Sequence, residues 1–145
     1  DMPFSIFRPF SVYGPRQRDD MAFNIFIEKI IRNEEINIFG DGSQSRTNTY
    51  VTDLVSGLIS GIENAKHREV YNLSGSQSYS VLEVINLLSQ ILGKTPRLNF
   101  QIERLGDQKE TKTILTKAEN DLGYFPSTFL DVGLARQIEW QIANP

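Results

Sequence analysis

The fold of this chain is decided by the stretch Gly40-Asp-Gly-Ser-Gln-Ser-Arg-Thr-Asn-Thr-Tyr-Val-Thr-Asp53. The apolar run at residues 36–39 precedes it and predicts a strand. The glycines around Asp41 predict a tight turn, because glycine adopts positive φ at little steric cost. Arg46 then opens a second extended segment, expected to run to about residue 51, and Asp53 is expected to cap the helix that follows. An arginine at the start of a strand beside a glycine turn suits a planar fork directed at a phosphate, although a solvated surface charge has the same pattern.

Composition limits the classes of protein to which the chain can belong. Its 145 residues suffice for one domain with a core, and 39% hydrophobic and 23% charged residues are typical of a soluble globular protein. The net charge of −3 argues against a nucleic-acid-binding surface, and no apolar run approaches the length of a membrane span. With no cysteine, the chain forms no disulfide, which is compatible with a cytoplasmic enzyme. The single histidine, His67, lacks a histidine or cysteine partner for a metal site, so we expect a solvated side chain and no metal.

Apolar periodicity predicts a mixed α/β unit without a linker or repeat. We expect strands at residues 4–7, 36–39, 46–51, 70–73 and 98–102. The first helix is expected at residues 21–33 with Asp19 and Asp20 as cap, and the helix after Asp53 is expected to bury one apolar stripe. Ser80 and Glu83 form a capping box that starts a third helix, and Gly93 ends it. Two further helices are expected at residues 116–123 and from residue 130 onward. The predicted stripe after Asp53 is Leu54, Val55, Leu58, Ile59 and Ile62.

Three motifs, in order, cover nearly the whole chain. The first is Arg8-Pro-Phe-Ser-Val-Tyr-Gly-Pro-Arg-Gln-Arg-Asp-Asp-Met-Ala-Phe23, followed by the glycine turn described above. The second is Arg104-Leu-Gly-Asp107, and the third is Thr116-Lys-Ala-Glu-Asn-Asp-Leu-Gly-Tyr-Phe-Pro126. Together they resemble the C-terminal part of the NAD-dependent nucleotide-sugar epimerases and dehydratases, most similar to the UDP-glucose 4-epimerase group. This resemblance implies an extended short-chain dehydrogenase/reductase fold of the Rossmann type, of which this chain carries a few strands of the parallel sheet.

Two motifs of that family do not occur in the sequence. One is the glycine fingerprint Gly-x-x-Gly-x-x-Gly, and the other is the catalytic Tyr-x-x-x-Lys pair. Both lie upstream of the first strand in the family. We therefore expect residues 1–145 to form a single unit, the C-terminal nucleotide-sugar-binding portion of a longer enzyme, with the N-terminal NAD-binding domain absent from this chain. The resemblance then implies that this fragment is inactive alone and contains no catalytic residue.

The resemblance also assigns roles to individual residues. Arg46 and Arg104 match the arginines that contact the substrate diphosphate, and Asp107 matches an acid that engages the nucleotide. Ser11 stands where many members carry an asparagine that bonds the substrate. The positions that match the uridine-lining edge are Asn37, Ile38 and Phe39, of which Ile38 equally suits a plain core strand, and Phe10 matches a position at the nicotinamide end of NAD.

The resemblance implies UDP-glucose/UDP-galactose interconversion with NAD as cofactor, a UDP-sugar as substrate and a homodimer in the complete enzyme. The identity of the substrate stays open, because Thr47 and Asn48 replace the commoner acid and aromatic residue after the arginine. Asp19 also replaces a usual proline, which should loosen that turn but spare the pocket. The alternatives are a nucleotide-sugar dehydratase or decarboxylase of the same family, or a binding module without catalysis.

Overall fold

The computed structural model describes residues 2–144. Along this part of the chain, helices and short strands alternate. Their bounds are β1 (Ile6–Pro9), β2 (Val12–Tyr13), α1 (Ala22–Ile31), β3 (Glu35–Phe39), β4 (Ser45–Thr47), β5 (Thr49–Tyr50), α2 (Val51–Asn64), β6 (Val70–Leu73), β7 (Ser78–Ser80), α3 (Val81–Leu92), β8 (Arg97–Gln101), β9 (Glu110–Thr111), α4 (Thr116–Leu122) and α5 (Leu130–Ala143). The predicted α/β class is confirmed.

Parallel pairing dominates the strands. β1 pairs with β6, β2 with β5 and β3 with β8, each in parallel. β4 is the centre of a small three-stranded sheet, antiparallel to β7 and parallel to β9. Because β4 carries Arg46, this small sheet fixes the arginine between two strands that are distant in sequence.

Two hydrophobic clusters hold these elements together. The larger joins α1, β3, α3 and α5 through fully buried side chains such as Ile27, Ile85 and Leu134. The smaller lies between β6 and α4 around Tyr71 and Leu122. At about 25 cal/mol per Å² of apolar surface, such burial is the main source of stability.

Several local predictions are confirmed at atomic detail. Ser80 Oγ accepts from Glu83 N at 3.2 Å and Glu83 Oε2 accepts from Ser80 N at 2.7 Å, which completes the capping box of α3. Gly93 ends this helix in the left-handed conformation. The turn before β4 is also confirmed, since Gly40 and Gly42 both have positive φ.

The predicted caps of the first two helices were wrong. α1 has Met21 at its N-cap, while Asp20 lies outside the helix and pairs with Arg18 at 3.0 Å. α2 begins two residues before Asp53, which therefore lies in its first turn. Asp53 is buried and accepts hydrogen bonds from the backbone N and Oγ1 of Thr128. Its carboxylate thus ties α2 to the segment before α5, a contact across 75 residues.

The strand bounds also differ from the sequence prediction. The first strand lies at Ile6–Pro9, two residues later than expected, and the extended segment after Arg46 divides into β4 and β5. Ile102 lies beyond the end of β8 and is exposed.

The buried stripe predicted for α2 is confirmed only for Leu54, which packs against the smaller cluster, and was wrong for the other four residues, because this helix packs through glycine. Gly57 lies against Tyr124 and Leu73, and Gly61 lies against Phe7. The small residues let α2 approach β1 and β6 closely, and its remaining large apolar side chains are exposed. We call these four side chains the α2 surface; they are Val55, Leu58, Ile59 and Ile62.

Within residues 2–144 no helix combines the length and the apolar character needed to cross a bilayer.

Candidate functional site

Arg46 and Asp107, both predicted as ligands from the family resemblance, lie in direct contact. Arg46 Nη2 donates to Asp107 Oδ1 at 2.7 Å across 61 residues of sequence. A second guanidinium nitrogen, Nη1, donates to the carbonyl of Ser45 at 2.9 Å. About 30% of the Arg46 side chain is exposed, so the guanidinium remains accessible to a ligand while β4 holds its stem.

Arg104 and Phe39 form the second contact between predicted site residues. The guanidinium carbon of Arg104 lies 3.6 Å from the centre of the Phe39 ring. A planar cation stacked on an aromatic face in this way is a favourable contact. The contact places the positive charge of Arg104 against the ring of Phe39, the last residue of β3.

Two small cavities adjoin these contacts. The outer cavity, of about 210 Å³, is lined by Phe39, Asp107 and Gln44 among others. The inner cavity, of about 130 Å³, is lined by Ser11, Arg46 and again Gln44. Since Gln44 lines both cavities and the Arg46–Asp107 ion pair joins one lining to the other, the two form neighbouring parts of one site.

Phe10 and Ser11 follow the carboxyl end of β1, the edge where ligands bind in parallel α/β sheets. Phe10 N donates to the carbonyl of Leu73 at 2.9 Å, which continues the β1–β6 ladder. Thr49 fixes both residues by donating its backbone N to Ser11 O at 2.9 Å and its Oγ1 to Phe10 O at 3.0 Å. These bonds fix the backbone at Phe10, whose side chain is half-buried.

The three predicted residues of β3 have different environments. Ile38 is 1% exposed and its side chain belongs to the core, so only its backbone is available to a ligand. Asn37 lies on the opposite face and accepts from Asn99 Nδ2 at 3.3 Å. Of the three, only Phe39 lines one of the two cavities.

Sequence reasoning missed Gln17 and Tyr79, which both line the inner cavity. Tyr79 is the direct partner of Arg46 in the antiparallel β4–β7 pairing. Its hydroxyl donates to Gln77 Oε1 at 2.5 Å. Burial, with the nearby charges of Asp131 and Glu83, raises the pKa of Tyr79, so the hydroxyl stays protonated at neutral pH. The strand register that places Tyr79 beside Arg46 is not encoded in any local motif.

The histidine has a structural contact. His67 Nδ1 accepts from the backbone N of Phe4 at 3.2 Å, whereas a purely solvated ring was expected. Across the described residues 2–144, no three His, Cys, Asp or Glu side chains are grouped so as to hold a metal ion.

Comparison with protein families shows which family the chain matches. Residues 1–74, just over half of the chain, match the model of the NAD dependent epimerase/dehydratase family. The chain belongs to this family. The matched segment contains both Ser11 and Arg46, and the family description includes NAD, the cofactor that the resemblance implied.

Curated relatives of this family member extend the match beyond residue 74. A Bacillus subtilis protein described as an uncharacterized UDP-glucose epimerase, YtcB, is 39% identical over 141 residues, which cover 96% of this chain and 44% of the relative. A UDP-glucuronate 4-epimerase from Thermodesulfobacterium geofontis is 33% identical over 144 residues, covering 99% and 44%. A UDP-glucuronic acid decarboxylase from Arabidopsis thaliana is 30% identical over 135 residues, covering 92% and 31%. The chain thus spans less than half the length of these relatives.

Solved structures confirm the fold of the family member. The UDP-glucuronic acid 4-epimerase from Bacillus cereus in complex with UDP-glucuronic acid and NAD superposes with a TM-score of 0.92 at 37% identity, covering 98% of this chain and 46% of that one. The UDP-glucose 4-epimerase from Thermotoga maritima with UDP-glucose gives a TM-score of 0.91 at 31% identity, covering 98% and 47%. The chain therefore has the expected architecture of an extended Rossmann-type fold over the part of those structures that it covers.

Proposed function

We propose that this chain is the nucleotide-sugar-binding part of an NAD-dependent UDP-sugar 4-epimerase. The observation that carries the proposal is the Arg46–Asp107 ion pair between the outer and inner cavities, with Arg104 stacked on Phe39 beside it. Two guanidinium groups near an aromatic ring suit a diphosphate attached to a flat base. Planar forks bind phosphate oxygens through paired, charge-assisted hydrogen bonds.

We assign each part of the substrate to one of the two cavities. The nucleoside lies at the outer cavity against Phe39, with Asp107 as acceptor for its hydroxyl groups. The diphosphate contacts Arg46 and Arg104, and the hexose extends into the inner cavity toward Ser11. Binding energy from the remote diphosphate then orients the reacting ring.

NAD, when bound, supplies the hydride acceptor for oxidation at the sugar ring and returns the hydride afterwards. Phe10, at the carboxyl end of β1, is the residue of this chain that we assign to its nicotinamide end. We further propose that residues 1–145 form one unit and that an N-terminal domain of the complete protein supplies most of the NAD contacts and the catalytic tyrosine and lysine. A homodimer and a cytoplasmic location remain predictions.

The finer assignment is UDP-glucose/UDP-galactose interconversion, and one feature favours a second substrate, UDP-glucuronate. Arg18 binds the Asp20 carboxylate through Nε at 3.0 Å and Nη2 at 3.1 Å, and its Nη2 also lies 3.8 Å from the sulfur of Met21. Met21 lines the inner cavity. Arg18 lies outside the inner-cavity lining with about 75% of its side chain exposed, so binding a uronate requires its guanidinium to exchange the Asp20 carboxylate for that of the sugar. The Bacillus cereus structure with UDP-glucuronic acid supports this substrate by similarity.

Calorimetry on the complete protein tests the proposed site. We expect UDP, UDP-glucose and UDP-glucuronate to bind, and Arg18→Ala to weaken only the uronate. Equal weakening of UDP-glucose and UDP-glucuronate by Arg18→Ala would contradict the second substrate. Absence of UDP binding by the folded parent would contradict the proposal itself and favour a module with another ligand.

A further inference from the structure

The C-terminal helix carries a fully buried amide that reaches the loop bordering the inner cavity. Gln137, on α5, is 1% exposed although its side chain is polar. Its Oε1 accepts from Gly14 N at 2.8 Å, and its Nε2 donates to Gln17 Oε1 at 2.8 Å. Burying an amide is costly unless its hydrogen bonds are formed, and both ends of Gln137 form one.

Gln17 links Gln137 to the wall of the inner cavity. Its Oε1 accepts a second hydrogen bond from Asn24 N at 3.1 Å, and its Nε2 donates to Val12 O at 2.9 Å. Gln17 therefore connects α5, the start of α1 and β2, the strand that directly follows Ser11. Since Gln17 also lines the inner cavity, its position sets part of the cavity wall.

The loop that contains Gly14 and Arg16 has positive backbone φ angles, which require stabilising contacts. Gly14 has a φ of 127° and Arg16 a φ of 67°, and a left-handed conformation is uncommon for a residue other than glycine. The hydrogen bond from Gly14 N to Gln137 holds the first of these turns in place. The loop is thus held by a side chain 120 residues away in addition to its own hydrogen bond from Gln17 N to the carbonyl of Gly14.

We infer that Gln137 is a positioning residue for the sugar portion of the substrate, acting through Gln17 on the wall of the inner cavity. This inference rests on the proposed function, because it places the hexose in that cavity. The inference predicts different effects on two parts of substrate binding. The diphosphate contacts of Arg46 and Arg104 lie outside the Gln137 network, whereas the Ser11 side of the inner cavity lies next to it. Gln137 itself does not line the inner cavity.

The test compares Gln137→Met with the parent in the complete protein. Methionine retains the length of the side chain but leaves Gly14 N without its acceptor and removes one of the two hydrogen bonds that Gln17 Oε1 accepts. We expect the Kd for UDP to stay within about twofold, and the Kd for the UDP-sugar to rise roughly fivefold or more, the scale of one unpaired buried group. A purely structural role would shift both constants together or neither.

Two further variants keep the inference falsifiable if Gln137→Met folds poorly. Gln17→Met removes the same link from its less buried side, together with the side-chain bonds to Asn24 N and Val12 O, and should give the same split between UDP and UDP-sugar. Ile138→Val, next to Gln137 on α5, reduces core packing without touching the network and should leave both Kd values unchanged. The double variant Gln17→Met/Gln137→Met should cost less than the sum of the two single variants, because both lose the hydrogen bond between Gln137 and Gln17.

The outcomes distinguish this inference from the proposed function. If the parent does not bind UDP, the proposed function fails. If the parent binds UDP and UDP-sugar, and either folded methionine variant binds both like the parent, the positioning role of Gln137 is refuted.

Discussion

Removing Arg46 should weaken UDP binding without unfolding the protein. The guanidinium makes two hydrogen bonds, one to Asp107 and one to the Ser45 carbonyl, and is about 30% exposed. A hydrogen bond between charged groups contributes about 1.5–3 kcal/mol. Partial exposure favours the middle of that range, so we expect Arg46→Ala to cost about 2 kcal/mol, which corresponds to about 30-fold in Kd.

Titration calorimetry of UDP and UDP-sugar against the complete protein measures this loss. The loss should be the same for both ligands, because the contact does not involve the hexose. Arg46→Lys should recover only part of the affinity, since an ammonium keeps the charge and lacks the planar fork. Arg104→Ala should give a loss of similar size.

The matched control is Arg32→Ala. This arginine is also paired with a carboxylate, Glu28, at 2.7 Å, but it is exposed on α1 and lines neither cavity. If Arg46→Ala and Arg104→Ala both bound UDP like Arg32→Ala, with unchanged melting temperatures, the assignment of the diphosphate contacts would be refuted.

Three further outcomes are expected. The 145-residue chain alone should not convert UDP-glucose to UDP-galactose above a mock preparation, because it lacks the Tyr-x-x-x-Lys pair; conversion in a coupled assay would overturn this. The same chain should self-associate at low micromolar concentration through the α2 surface, and Leu58→Glu with Ile62→Glu should return it to a monomer by light scattering; a monomeric parent would contradict that. Ser80→Ala should lower the free energy of unfolding by about 0.5–2 kcal/mol in urea, because the α3 cap is lost; an unchanged denaturation midpoint would argue against the cap.

The sequence predicted best those features that depend on neighbours within a few residues. The capping box of Ser80 and Glu83 and the left-handed end at Gly93 follow from local hydrogen bonding and backbone freedom, and both are present. The tight turn at Gly40 is of the same kind. Family resemblance supplied what local rules could not, namely that Arg46 and Asp107 belong to one site.

Features that depend on packing between distant elements were missed. The α2 stripe was assigned to the core because periodicity shows which residues share a face, not which face is covered. Gly57 and Gly61 determine which face of α2 is covered, because they allow the helix to approach β1 and β6 closely. Asp53 resembled a helix cap, yet its partner Thr128 lies 75 residues away. The hydrogen bond between Gln137 and Gln17 spans 120 residues and likewise has no local signature.

Proton NMR of the complete protein with UDP-glucose and with UDP-glucuronate tests the central proposal most directly. We predict that at least one of them gives its C4 epimer, with all six sugar carbons retained. A pentose product would identify a decarboxylase, and a 4-keto-6-deoxy sugar would identify a dehydratase. Either product, or no turnover by an NAD-loaded protein that binds UDP, would contradict the assignment as a UDP-sugar 4-epimerase.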